Sequence, residues 1–124
     1  MQKGTKVLLV DDEAEFVRTL AERLQIRGIQ ALVATDGVEA LQVVEEHAPP
    51  IVVLDVMMPG MSGIEVLQRL KERHPDIQVI LLTGHGSTKE GVRGMRLGAF
   101  DYLMKPVHIE ELIKKMDEAY DASR

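Results

Sequence analysis

Five short apolar runs punctuate the chain, at residues 6–10, 29–34, 51–54, 77–82 and 100–104, and each is followed by polar or turn-forming residues. The third is the most uniform: Ile51-Val52-Val53-Leu54 runs straight into Asp55, and Pro59-Gly60 breaks the chain shortly afterwards. A short, β-branched, unbroken apolar run reads as a strand buried on both faces, as in a parallel sheet. Between the runs the apolar period changes to that of a helix. Ala14, Val17, Leu20, Ala21 and Leu24 form one stripe, and Val38, Leu41 and Val44 form a second. Ile64, Leu67 and Leu70 form a third, and Ile109, Leu112, Ile113 and Met116 mark the last. A fourth helix is expected to open at Ser87, with Glu90 at capping-box spacing, and to reach Leu97-Gly98. Asp12 with Glu15 and Ser62 with Glu65 have the same spacing, and Thr35-Asp36-Gly37 reads as a turn.

The layout is five strand–helix units, which predicts an α/β fold with a parallel sheet covered on both faces. Five units fall short of the eight a (β/α)₈ barrel needs. Right-handed crossovers then favour a doubly wound sheet, strand order 2-1-3-4-5, flanked by five helices. At 124 residues the chain is expected to be one domain, residues 1–124, with neither linker nor repeat.

Composition narrows the function classes. Aromatic residues are only 3%, so the core is aliphatic, and a net charge of −5 disfavours direct contact with nucleic acid or an anionic membrane. Cysteine is absent, which excludes disulfides and thiolate metal sites. The first apolar run is too short for a signal-peptide core or a membrane span, so a cytoplasmic location is expected.

The C-terminal ends of parallel strands share one edge, so residues just past the runs are neighbours in space. Asp11 and Asp12 follow the first run, Asp55 the third, Thr83 the fourth and Lys105 the fifth. Three carboxylates in one crevice raise one another's pKa unless a cation relieves them. Lys105 is one such cation, and Mg²⁺, which takes one or two carboxylates plus waters and phosphate oxygens, suits the rest. Asp55 beside a Lewis acid and an ammonium is suited to accepting a phosphoryl group.

Taken singly, these residues have ordinary explanations. Asp12 alone would be a helix cap, Thr83 turn chemistry, Lys105 a solvated strand end and Tyr102 packing. Gly91 and Gly94, inside the expected fourth helix, read either as close packing or as a helix poised to shift, at about 1 kcal/mol each against alanine. Of the four histidines only His85 falls near the rim, and none has metal-ligand spacing. What sets the chain apart is the conjunction at four strand ends.

Val10-Asp11-Asp12-Glu13, Leu54-Asp55-Val56-Met57-Met58-Pro59-Gly60-Met61-Ser62-Gly63, Leu82-Thr83-Gly84 and Gly98-Ala99-Phe100-Asp101-Tyr102-Leu103-Met104-Lys105-Pro106 together resemble the receiver domain of two-component response regulators, over essentially the whole chain. The resemblance implies a CheY-like fold in which Asp55 takes a phosphoryl group from a sensor histidine kinase or a phosphotransfer protein. It implies Mg²⁺, with Mn²⁺ as a substitute, held by Asp12, Asp55 and the Met57 carbonyl, Asp11 acting largely through water. Lys105 and Thr83 would contact the phosphoryl oxygens, and Tyr102 would turn inward as Thr83 moves. The Lys105–Pro106 bond would be cis. Output would pass through the surface of the fourth helix, fifth strand and fifth helix to an effector domain or protein, or to a second copy in a homodimer formed on phosphorylation. The chain would be no enzyme beyond catalysing its own phosphorylation and dephosphorylation, and Met57, unable to position water, implies modest rather than fast loss of the group.

Three rivals fit less well. A haloacid-dehalogenase-type phosphohydrolase usually carries a second Asp where Met57 stands. A flavodoxin-like binder would need a phosphate cradle where Asp11-Asp12-Glu13 would repel the phosphate. An interaction module that is never phosphorylated would not need the full acidic set with Thr83 and Lys105.

Overall fold

The computed structural model describes residues 1–84 and 88–123. Its elements alternate along the chain: β1 Lys6–Val10, α1 Ala14–Ile26, β2 Gln30–Ala34, α2 Gly37–His47, β3 Ile51–Asp55, α3 Gly63–Arg73, β4 Gln78–Thr83, α4 Thr88–Arg96, β5 Asp101–Met104 and α5 Ile109–Ala122. All four strand pairings are parallel and the order is β2-β1-β3-β4-β5, as the alternation predicts.

The near-continuous apolar strands follow from a core on each face. Successive side chains of a strand point to opposite sides. Val7, Leu9, Ile51, Val53, Ile80 and Leu82 pack with Val17, Leu20 and Leu24 of α1 and with Leu112 and Met116 of α5. Leu8, Val10, Val52, Leu54, Val79 and Leu81 pack with Ala40 and Val44 of α2 and with Ile64, Leu67 and Leu70 of α3. Each fully buried aliphatic side chain contributes about 1.5–3 kcal/mol, so the central strands, buried along their length, anchor the fold.

The helix starts depart in part from the sequence pattern. Ser62 caps α3 as expected, its hydroxyl accepting the Glu65 N–H at 3.2 Å. The expected Asp12–Glu15 box is absent: Glu13 is the N-cap of α1 and makes no side-chain cap bond, while Asp11 Oδ1 accepts the Glu13 N–H at 2.9 Å. The supposed turn at Asp36 is a cap, its carboxylate accepting the Glu39 N–H at 2.8 Å, and Glu39 accepts the Thr35 N–H at 2.7 Å. The strand edges shift by a residue or so: Ile29, Ile77 and Phe100 lie outside β2, β4 and β5, and Thr83 is the last residue of β4. The expected Ser87 cap, like His85 and Gly86, lies outside the described residues. The Lys105–Pro106 bond is cis.

Three glycines let helices sit close to the sheet. A Cβ on Gly63 would collide with the Asp55 carbonyl oxygen and lie 2.7 Å from Val56 Cα. On Gly91 it would lie 2.9 Å from Thr83 Cγ2, and on Gly94 it would collide with Leu81 Cδ1. The glycines of α4 therefore have a packing reason: the helix lies directly against the end of β4.

Substitution at these glycines should separate rigid from yielding neighbours. Gly63→Ala meets backbone and should lose about 2–3 kcal/mol or more, the upper range for overpacking. Gly94→Ala meets the end of a leucine side chain and regains about 1 kcal/mol of helix preference, so it should lose about 1 kcal/mol or less. Urea unfolding of both variants checks the order; a Gly63→Ala protein as stable as the parent would refute the close approach.

Candidate functional site

The registers bring the strand ends together. Val10 pairs with Leu54, Asp55 with Leu82, and Thr83 with Met104. Backbone bonds carry the ladder past the strands: Val56 N–H donates to Leu82 O at 3.1 Å, and Lys105 N–H to Thr83 O at 2.8 Å. The residues after β1, β3 and β5 therefore meet at one edge. Asp11 is 1% and Asp55 5% exposed, whereas Asp12 is open to solvent.

One oxygen from each of Asp11, Asp12 and Asp55 lies within 4.8 Å of the others. The Lys105 ammonium faces them, 2.8 Å from Asp11 Oδ2 and 3.6 Å from Asp55 Oδ2. The Asp11 contact is an ion pair and not a well-directed hydrogen bond. Asp11 Oδ2 is thus the one buried side-chain oxygen among the described residues with no hydrogen-bond partner. Asp55 Oδ1 accepts the Met57 N–H at 3.2 Å. Three clustered carboxylates and an under-coordinated buried oxygen fit a hard divalent cation, which prefers oxygen ligands.

The electrostatics bear the marks of crowding. Burial first, then the charge of Asp11 and, least, that of Asp12 push the Asp55 carboxyl up to about 6, against the pull of Lys105 and the Met57 N–H bond. For Lys105, burial favours the neutral amine, but Asp11, Asp55 and Glu13 outweigh it and hold the ammonium above the ordinary lysine range. The site has more negative charge than one lysine can balance.

Asp11, Asp12, Asp55 and Lys105 are therefore gathered as expected. Thr83 is buried at the adjoining strand end, but its hydroxyl donates to Leu103 O at 3.4 Å, toward β5. Tyr102 is 48% exposed and borders a cavity of about 190 Å³ together with Thr83, Gly91, Val92, Met95 and Met104. The Met57 side chain stands 55% exposed at the rim. Two residues have contacts with Lys105 that the sequence did not assign them. Glu13 accepts a hydrogen bond from Lys105 Nζ at 3.1 Å, and the Phe16 ring lies 5.0 Å from the same ammonium, within cation–π range. Glu13 had a signal, as a third acid adjoining two site acids; Phe16 had none.

Residues 7–117 match the family described as "Response regulator receiver domain". The chain is 40% identical over 119 residues to "Uncharacterized transcriptional regulatory protein YkoG" of Bacillus subtilis (strain 168), covering 96% of this chain and 52% of that protein. It is 40% identical over 111 residues to "Response regulator MprA" of Mycobacterium sp. (strain KMS), covering 90% and 48%. The chain thus spans about half the length of the curated relatives it matches. Among solved structures, a response regulator receiver domain protein from Clostridium thermocellum superposes with a TM-score of 0.91 at 33% identity, covering 95% of both chains. NtrX from Brucella abortus, in complex with ATP, superposes with a TM-score of 0.89 at 32% identity, covering 95% of this chain and 27% of that one.

The raised Asp55 pKa makes a stability prediction for the metal-free protein. A carboxyl held above its unfolded value folds best when neutral. The penalty is absent below the ordinary carboxylate range, grows as pH rises toward about 6, and stays constant above it. Asp55→Asn, which keeps an acceptor for the Met57 N–H, should therefore raise the stability of metal-free protein by roughly 2–3 kcal/mol at most at neutral pH. The gain should vanish near pH 4. Chemical unfolding in chelator across this range measures it, and a gain that grows on acidification would contradict it.

Proposed function

The chain belongs to the response regulator receiver family of two-component systems, and from that premise we propose that Asp55 is its phosphoacceptor. The observation that carries the reading is the convergence on Asp55 of two further carboxylates and the Lys105 ammonium. The donor is a phosphohistidine on a sensor kinase or phosphotransfer protein. An Asp55 carboxylate oxygen forms the new P–O bond as the P–N bond breaks. The imidazole nitrogen departs with the electron pair and takes a proton from solvent.

Asp12, Asp55 and the Met57 carbonyl would hold Mg²⁺, or Mn²⁺ in its place, with Asp11 acting largely through water. When bound, the ion supplies a Lewis acid that neutralises charge on the transferring group. The chain's own residues do the rest. Lys105, already 3.6 Å from Asp55, pairs with phosphoryl oxygens, and Thr83 turns its hydroxyl from Leu103 O to the same group. Each such bond is worth about 1.5–3 kcal/mol.

Moving Thr83 alters the wall of the cavity beside Tyr102, and Tyr102 turns inward. A few kcal/mol reverse a two-state balance of moderate bias, although full inversion from 1:99 to 99:1 takes about 5.5 kcal/mol. The surface of α4, β5 and α5 then changes its affinity for an effector domain, an effector protein or a second copy of the chain. The reading makes the chain a cytoplasmic switch, its only catalysis being its own phosphorylation and dephosphorylation. Among the described residues no helix is long and apolar enough to cross a membrane.

Incubation with Mg²⁺ and acetyl phosphate should give a single phosphoryl adduct by intact mass in the parent and none in Asp55→Asn. An unmodified parent would refute the reading, and rapid multiple turnover of acetyl phosphate would favour a hydrolase. Met57 carries no group that could position an attacking water, so the isolated adduct should last for minutes or longer. Its disappearance within seconds would show that another residue supplies that role.

A further inference from the structure

Glu13 occupies an unusual position. It is the N-cap of α1, a place where a side chain ordinarily bonds the first free N–H groups of its helix, yet it makes no such bond. Its backbone is fixed on both sides: the N–H donates to Asp11 Oδ1 at 2.9 Å, and the carbonyl accepts Val17 N–H at 3.0 Å. Its carboxylate instead reaches Lys105 Nζ at 3.1 Å, the only side-chain hydrogen bond found for that ammonium among the described residues.

Lys105 is therefore held from one side. Its nearer partners, Asp11 at 2.8 Å and Glu13 at 3.1 Å, both belong to the segment that joins β1 to α1. The Phe16 ring of α1 lies 5.0 Å away, and Asp55, at 3.6 Å, is the more distant carboxylate. Asp11 is buried and cannot leave, but Glu13 is 66% exposed and can be released to water.

We propose that Glu13 is a positioning residue that holds Lys105 back in the resting state and competes with the phosphoryl group for its ammonium. The proposal rests on the phosphoacceptor reading of Asp55 and adds what sets the threshold for the switch. To grip a phosphoryl oxygen, Lys105 gives up its one directed hydrogen bond, to a carboxylate that gains hydration as it leaves. Partly exposed pairs of this kind are modest, so the effect is about two- to five-fold in affinity and not orders of magnitude.

The test uses beryllofluoride, a non-covalent phosphoryl mimic, with Mg²⁺ present. Glu13→Gln and Glu13→Ala should both fold, because the carboxylate does not cap α1. Both should bind beryllofluoride about two- to five-fold more tightly than the parent, with Ala at least equal to Gln. Mg²⁺ affinity measured alone should stay within about two-fold of the parent's, consistent with a residue that acts on Lys105 and not on the ion. In metal-free, phosphate-free protein the Lys105 Nζ resonance should already shift, a signature that general stabilisation would not produce.

Glu15→Gln, which removes a nearby exposed charge from α1 with no ion pair to Lys105, is the control and should match the parent. Four results overturn the inference: beryllofluoride affinity unchanged in both Glu13 variants, an equal gain in Glu15→Gln, a rise in Mg²⁺ affinity large enough to account for the gain, or an unmoved Lys105 resonance. Failure of the parent itself to bind beryllofluoride or form an acetyl phosphate adduct would refute the phosphoacceptor reading instead.

Discussion

An imbalance of charge governs this molecule. Asp11, Asp12 and Asp55 place oxygens within 4.8 Å of one another, and Lys105 is the ammonium that faces them. The folded chain tolerates this because the sheet leaves no alternative. Val7 to Val10 and Ile51 to Leu54 are almost fully buried, and their register sets where Asp11 and Asp55 emerge. A slip by one residue would turn every aliphatic side chain of a strand to the wrong core. Aliphatic packing thus does the work of confining like charges, and the site remains short of positive charge. A site so arranged gains from any ligand that brings cations and gives them oxygen partners.

Close packing of helices against the strand ends gives that charge imbalance a mechanical outlet. Gly63 brings the start of α3 against the backbone of Asp55 and Val56, so the Asp55 end of β3 has a rigid floor. Gly91 brings α4 against Thr83 Cγ2, and here the neighbour is a side chain that can rotate. One approach fixes Asp55; the other makes the position of α4 sensitive to the rotamer of Thr83. The pair sets a backbone neighbour beside Asp55 and a side-chain neighbour beside Gly91 on the same edge.

Much of this was legible in the chain because the signals were strong and local. Continuous β-branched runs mark strands buried on both faces, and their spacing around helical stripes leaves little choice of architecture. The site acids were legible for the same reason, since strand ends in a parallel sheet converge whatever their separation in sequence. What was not legible depends on side-chain direction. Asp12 stands in the acidic cluster as expected, but its capping spacing misleads, because Glu13 takes the cap position and Asp11 bonds its N–H. Asp36 looked like turn chemistry because a cap and a turn use the same residue types. Phe16 sits among charged residues, off the α1 stripe, and only the fold brings it near Lys105.

The backbone of Lys105 adds a last link. Its N–H bonds Thr83 O at 2.8 Å, so the residues expected to contact a phosphoryl group from two strands are already tied through the main chain. The Thr83 hydroxyl meanwhile donates to Leu103 O at 3.4 Å, a long bond that is cheap to exchange. Thr83 is therefore fixed in its backbone and loosely held in its side chain, and Lys105 is fixed in its backbone and shared among three carboxylates in its ammonium. On the proposed reading, fixed backbones with exchangeable side-chain bonds would let a small change in charge at Asp55 redirect two side chains without remodelling the sheet. The response would then pass to α4 and β5, which both meet the Thr83 side chain, while β1 and β3 stay in place.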